Sequence, residues 1–216
     1  MGRLVVISNR IAPPDDKKAS AGGLAVGFGR AEAAGGLWFG WSGEIGDDQK
    51  PLNTVTRGNI TWASFTLNER DHDEYYNQFS NAVLWPAFHY RLDLVDFQRP
   101  SWDGYLRVNA NLAKKLLPLI EPDDILWIHD YHLLPFASEL RKLGVNNRIG
   151  FFLHIPFPTP EILTRCLRMP SFLSSSVTTI CLASRPITTE WRFLIASRCV
   201  SLQTRVVTRD GRRHEA

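Results

Sequence analysis

Apolar residues in this chain come in short runs that stop abruptly in polar chemistry. Residues 124–129 and 147–154 each read as a buried strand, and Leu133 to Leu143 between them has helical spacing, which predicts a strand–helix–strand unit. The strands end in Trp127-Ile-His-Asp-Tyr-His-Leu-Leu-Pro135 and Phe151-Phe-Leu-His-Ile-Pro-Phe-Pro-Thr-Pro-Glu161. In an open parallel sheet, ligands bind at the carboxyl ends of the strands. Upstream, Arg3 to Ser8 predicts a strand, Asn9 to Gly23 a loop, and Leu24 to Ala34 a helix closing at Gly35-Gly36. Leu37 to Trp41 and Asn59 to Phe65 predict strands, and Asn68 to Phe79 a polar helix. Ser101 is expected to cap a longer helix with Trp102, Tyr105, Leu112, Leu116 and Leu119 on one face. The alternation predicts an α/β fold, a doubly wound, mostly parallel Rossmann-like sheet.

A hydrophobic fraction of 44% in 216 residues permits a real core. Met1 to Ser8 reads as a strand rather than a signal peptide, and no apolar run reaches membrane-spanning length. The expectation is a soluble, cytoplasmic protein with no membrane partner. The net charge of +3 averages two unlike parts. Residues 1–163 hold 16 Lys+Arg against 19 Asp+Glu, whereas residues 164–216 hold 9 Arg, no Lys and 3 acids. The Arg residues of that tail are dispersed, without a groove-binding pattern, so nucleic acid is not an expected partner. Its three cysteines, Cys166, Cys181 and Cys199, form no metal or disulfide framework.

Candidate chemistry sits at the strand ends. Arg10, just past the first strand, suits a bidentate grip on phosphate, or is an ordinary surface Arg. Gly22 and Gly23 open a helix whose free N–H groups could meet a phosphate, or form a plain turn. Asp130 is placed to accept from sugar hydroxyls, or to cap the next helix. His129 and His132 have no third ligand nearby to complete a metal set. His154 could donate to a sugar oxygen, or be a satisfied core histidine. Tyr75, Tyr76, Trp85, Phe88, His89 and Tyr90 form an aromatic concentration that suits sugar faces or a core.

Residues 1–163 closely resemble the N-terminal half of the bacterial trehalose-6-phosphate synthase family, retaining glycosyltransferases of the GT-B type. The resemblance runs through residues 5–14, 20–27, 36–43, 74–86, 127–134 and 154–161. It implies glucose transfer from UDP-glucose to glucose 6-phosphate, as in trehalose biosynthesis, with no metal or other cofactor. It also implies that Arg10 holds the acceptor phosphate with Tyr76 beside it. Asp130 then binds acceptor hydroxyls, Gly22 and Gly23 approach the donor diphosphate, and His154 contacts the donor glucose. Asp130 and His154 are the catalytic candidates, and Trp85 and Ile155 shape the acceptor pocket and its choice of anomer. Front-face attack, with the leaving phosphate taking the acceptor proton, makes catalysis a matter of positioning and electrostatics.

The family's second Rossmann-like domain has no counterpart in these residues, so a truncated, inactive chain is expected; the family's homo-oligomers imply nothing definite for it. From Thr164 to Arg198 the composition changes to eleven Ser/Thr, five Arg and no Gly. With permitted codons, a shifted frame turns residues 175–186 into the family-like Q-L-C-D-Y-D-L-L-G-F-Q-T, and residues from Cys199 resemble the family directly again. The expected organisation is an acceptor-binding domain at 1–163, an out-of-frame, poorly ordered segment at 164–198 that supplies no sheet strand, and a family-like remnant at 199–216. Two other readings stay open: a non-catalytic sugar-phosphate-binding module, or a different GT-B transferase.

Overall fold

The computed structural model describes residues 2–11, 35–156, 158–159 and 162, with the backbone of 180–184, 192–195, 204–207 and 213–214. The strands are β1 (Leu4–Arg10), β2 (Gly36–Ile45), β3 (Asn53–Arg57), β4 (Ile60–Leu67), β5 (Ile125–His129), β6 (Arg148–Leu153), β7 (Ile180–Ser184), β8 (Arg192–Ile195), β9 (Thr204–Val207) and β10 (Arg213–His214). They form one sheet in the order β10-β9-β8-β7-β6-β5-β1-β2-β4-β3. From β7 through β6, β5, β1 and β2 to β4 every pairing is parallel, and β3 adds antiparallel to β4 at one edge.

Parallel strands covered on both faces read as continuous apolar runs. β1 does so: Val5 and Ile7 enter the main core with Leu37, Phe39, Leu126 and Ile128, while Val6 turns to the other face with Ile60 and Trp62. The main core lies under a long helical arm and its partner. The arm begins with α1 (Glu69–Asp71), continues as a π-helix (His72–Leu84) and ends in α2 (Trp85–Phe88). Asn68 caps it, its Oδ1 accepting from the Asp71 amide at 2.7 Å. The partner is α3 (Arg99–Leu116), and α4 (Phe136–Lys142) follows β5. Arg107 of α3 ties both Asp71 and Glu74 to itself, so the start of the arm is pinned beside the residues that follow, Tyr75 and Tyr76.

Several expectations change. Residues 53–57 form an edge strand that the sequence pattern hides, because an edge strand that is mostly exposed has no apolar alternation to show. The arm runs nine residues past Phe79 to Phe88, since Val83, Leu84, Ala87 and Phe88 continue its buried face. Ser101 does not cap α3: Gln98 does, with Pro100 in the first turn, and the Ser101 hydroxyl donates back to the Gln98 carbonyl at 2.6 Å. Leu119 falls in a following 3₁₀ turn (Leu117–Leu119). The helix expected over 133–143 starts later, at Phe136, after a 3₁₀ turn (Tyr131–Leu133). The segment 164–198 does supply strands: β7 extends the parallel sheet from β6, and β8 pairs antiparallel with β7. Ile180-Cys-Leu-Ala is an apolar run that a sheet edge accepts. The loop and helix expected over 12–34 lie outside the described residues.

Candidate functional site

The carboxyl ends of β1, β2, β5 and β6 gather the predicted residues into two neighbouring groups. The first is built on Arg10, which is exposed at the end of β1. Its guanidinium carbon lies 5.7 Å from the centre of the Trp41 ring, a cation–π approach. Gly43 makes room for it: a Cβ there would stand 2.5 Å from Arg10 Nη2, and the backbone has φ +92°. Trp41 is itself fixed by its indole N–H donating to the Glu44 carbonyl at 2.7 Å.

The helical arm reaches this group with two adjacent tyrosines. Tyr75 is buried and its hydroxyl donates to Asn9 Oδ1 at 2.7 Å, lacing the arm to the end of β1. Tyr76 packs against Trp41 at 5.6 Å between centroids. From Tyr76 an aromatic belt continues to His132 at 5.7 Å, then Tyr131 at 4.0 Å, then Trp85 at 5.9 Å. Trp85 is 44% exposed, so the belt ends at the surface, with His89 at 4.0 Å beside the last ring. Flat rings beside a cation are suited to a sugar that carries a phosphate.

The second group is buried and mostly neutral. Asp130 follows β5 with φ +76° and ψ 163°, a conformation strained for a side-chain-bearing residue and one that clusters at functional sites. Its carboxylate accepts from the Tyr131 amide at 3.0 Å, so it does cap the next turn, as one reading expected. Burial raises the Asp130 pKa, against the opposing pull of the Tyr131 amide and of His154, including the His154 backbone amide. His129 Nδ1 lies 3.0 Å from His154 Nε2. Burial first, and His154 second, lower the His129 pKa to about 3. Burial alone lowers that of His132 to about 3, and neither of its ring nitrogens has a hydrogen-bond partner. Both rings are therefore neutral near pH 7.

The structure thus brings Arg10 and Tyr76 together across Trp41, sets Trp85 at the far end of the same belt, and places Asp130 beside His154. Ile155 is buried directly after His154. Gly22 and Gly23 lie outside the described residues. Sequence reasoning missed Trp41, Gly43 and Tyr131 as site elements, and weighed His132 only as a metal ligand. The Gly-Trp-Ser-Gly run at 40–43 was a usable signal, because glycines flanking a Trp mark a close approach. Among the described residues, no cluster of three His, Cys, Asp or Glu could hold a metal ion, and no helix is long and apolar enough to cross a membrane.

A parallel α/β sheet with a cation, a carboxylate and imidazoles at its strand ends places a candidate ligand site where open α/β sheets bind their ligands. Residues 4–180 match the model of glycosyltransferase family 20. The chain belongs to that family. It is 86% identical over 163 residues to a trehalose-6-phosphate synthase of Klebsiella pneumoniae, covering 75% of this chain and 34% of that protein. It is 68% identical over 217 residues to the trehalose-6-phosphate synthase of an Enterobacter species, covering 100% of this chain and 45% of that protein. Among solved structures, a UDP-forming α,α-trehalose-phosphate synthase from Burkholderia xenovorans, in complex with glucose 6-phosphate, aligns with a TM-score of 0.75 at 42% identity. That alignment covers 89% of this chain and 47% of the other. The chain therefore spans between a third and a half of the length of the relatives it matches.

Proposed function

We propose that this chain carries the acceptor side of a trehalose-6-phosphate synthase, which moves glucose from UDP-glucose to glucose 6-phosphate and releases UDP. The observation that carries the reading is Arg10, seated on Gly43 and Trp41 with Tyr76 on the same indole. A guanidinium held open on an aromatic plate is a ready site for a phosphate dianion. The Burkholderia relative's complex with glucose 6-phosphate supports the choice of ligand.

On this reading Arg10 and Tyr76 take the acceptor phosphate, and Trp85 and Ile155 shape the wall that selects the anomer. Asp130 accepts from acceptor hydroxyls. His154 contacts the donor glucose, and Gly22 and Gly23 approach its diphosphate. Attack and departure occur on one face of the donor sugar, and the leaving phosphate oxygen takes the acceptor proton, so no metal ion or paired carboxylate is required. The acceptor-binding residues lie within 1–163, and the 216 residues alone bind acceptor weakly at best and do not turn over. A soluble, cytoplasmic setting and homo-oligomers belong to the same proposal. So does a reading-frame shift near codon 164, compensated near codon 198, for which the composition change at 164–198 is the support.

Two experiments test this. Glucose 6-phosphate should raise the melting temperature of the chain, while UDP release from UDP-glucose plus glucose 6-phosphate stays at background. Release of UDP at a synthase-like rate would reject the acceptor-only assignment, and no thermal shift would reject the acceptor site. Resequencing the DNA from codon 155 onward should show one base missing near codon 164 and two near codon 198; an intact frame would reject the frameshift.

A further inference from the structure

The proposed chemistry uses His154 and leaves its neighbour His129 without a part. β5 and β6 run parallel with His129 opposite Phe152, so the next residues of β6 bring His154 alongside the end of β5. There the two imidazoles meet edge to edge. His129 Nδ1 and His154 Nε2 are 3.0 Å apart, with ring centres 5.2 Å apart and 27° between planes. Aromatic edges box the pair in: Phe152 stands 4.7 Å from His154 and 5.9 Å from His129, and Trp127 stands 6.2 Å from His129. His129 is only 6% exposed, so water does not compete for its Nδ1.

A hydrogen bond between two imidazole nitrogens needs a proton on one and a lone pair on the other. Whichever ring donates, His154 Nε2 is committed to His129, and Nδ1 is the ring nitrogen His154 turns to its other surroundings. The orientation and tautomer of a functional histidine are set by the bond its other nitrogen makes. We infer that His129 is a positioning residue that holds His154 in one tautomer and one orientation beside the end of β5. What His154 then contacts, a sugar nucleotide, rests on the function proposed above. The lock itself is a property of the unliganded protein.

The test is a long-range ¹H–¹⁵N correlation spectrum of the 216-residue chain with all six histidines labelled. At pH 9, above the ordinary histidine range, His129 and His154 should each show a single tautomer. His129→Phe keeps the ring and removes the nitrogen, and His154 should relax to a tautomer mixture. His129→Asn, whose amide reaches the place of Nδ1, should restore the single form. A tautomer mixture at His154 in the native chain, or an unchanged spectrum in His129→Phe, overturns the inference.

Discussion

The two groups at the strand ends solve opposite problems. Around Arg10 the charge is permanent, exposed and seated on rings, with Gly43 left bare beneath it. Around Asp130 the groups titrate, and burial with backbone amides and a second imidazole decides their state. A phosphate dianion is held best by a cation that solvent and substrate can both reach. Hydroxyl recognition needs neutral donors and acceptors in fixed orientation, which only a dry, packed environment supplies.

Acid should separate the two groups most clearly. His129 and His132 have folded pKa values of about 3 against an ordinary 6.5. Between those values the unfolded chain binds protons that the folded chain refuses, so stability falls as pH drops below 6.5. Each histidine contributes a slope that approaches about 1.4 kcal/mol per pH unit well below pH 6.5, or about 3 kcal/mol for both between pH 6.5 and 5. Melting temperature against pH checks this, and His132→Phe should remove half of the slope. A flat profile over that range would mean that neither ring is buried neutral.

Arg107→Ala breaks the clamp that places the tyrosines. It leaves the Asp71 and Glu74 carboxylates without their Arg107 partner, and should cost about 2–3 kcal/mol of stability by denaturant unfolding. Gly43→Ala attacks the cationic end alone. The residue would sit at φ +92° with its Cβ against the Arg10 guanidinium, for about 1–2 kcal/mol of stability and a weaker phosphate site. Trp41→Leu removes the aromatic seat of Arg10. Because Arg10 is exposed, the loss should be about 0.5–1 kcal/mol of glucose 6-phosphate affinity by calorimetry, alongside a stability cost from emptying the buried Trp41 site.

The sequence showed the strands that are buried on both faces, because runs such as Val5-Val-Ile7 and Ile125-Leu-Trp-Ile128 are what a strand covered on both faces requires. It also showed Arg10, Asp130 and His154, since chemistry at strand ends is local in the chain. The edge strand β3 was hidden by its polar pattern. The π-helical arm was read short because its last turns carry few charges and several apolar residues. The aromatic belt was legible only in Tyr76 and Trp85, not in its continuity. Trp41, Tyr76, His132 and Trp85 come from separate elements, and only the packing of the arm across the sheet makes them neighbours. The β7 strand shows the converse: a stretch with no readable periodicity still joins the sheet where an apolar run meets the open edge of β6.

The most direct test of the cationic cradle is calorimetric titration of the 216-residue chain with glucose 6-phosphate and with glucose, repeated on Arg10→Ala. The cradle predicts that the phosphate accounts for about 2–3 kcal/mol of affinity in the native chain, and that Arg10→Ala removes most of that advantage. Equal affinity for both sugars in the native chain, or an advantage that survives Arg10→Ala, would show that the phosphate is held elsewhere.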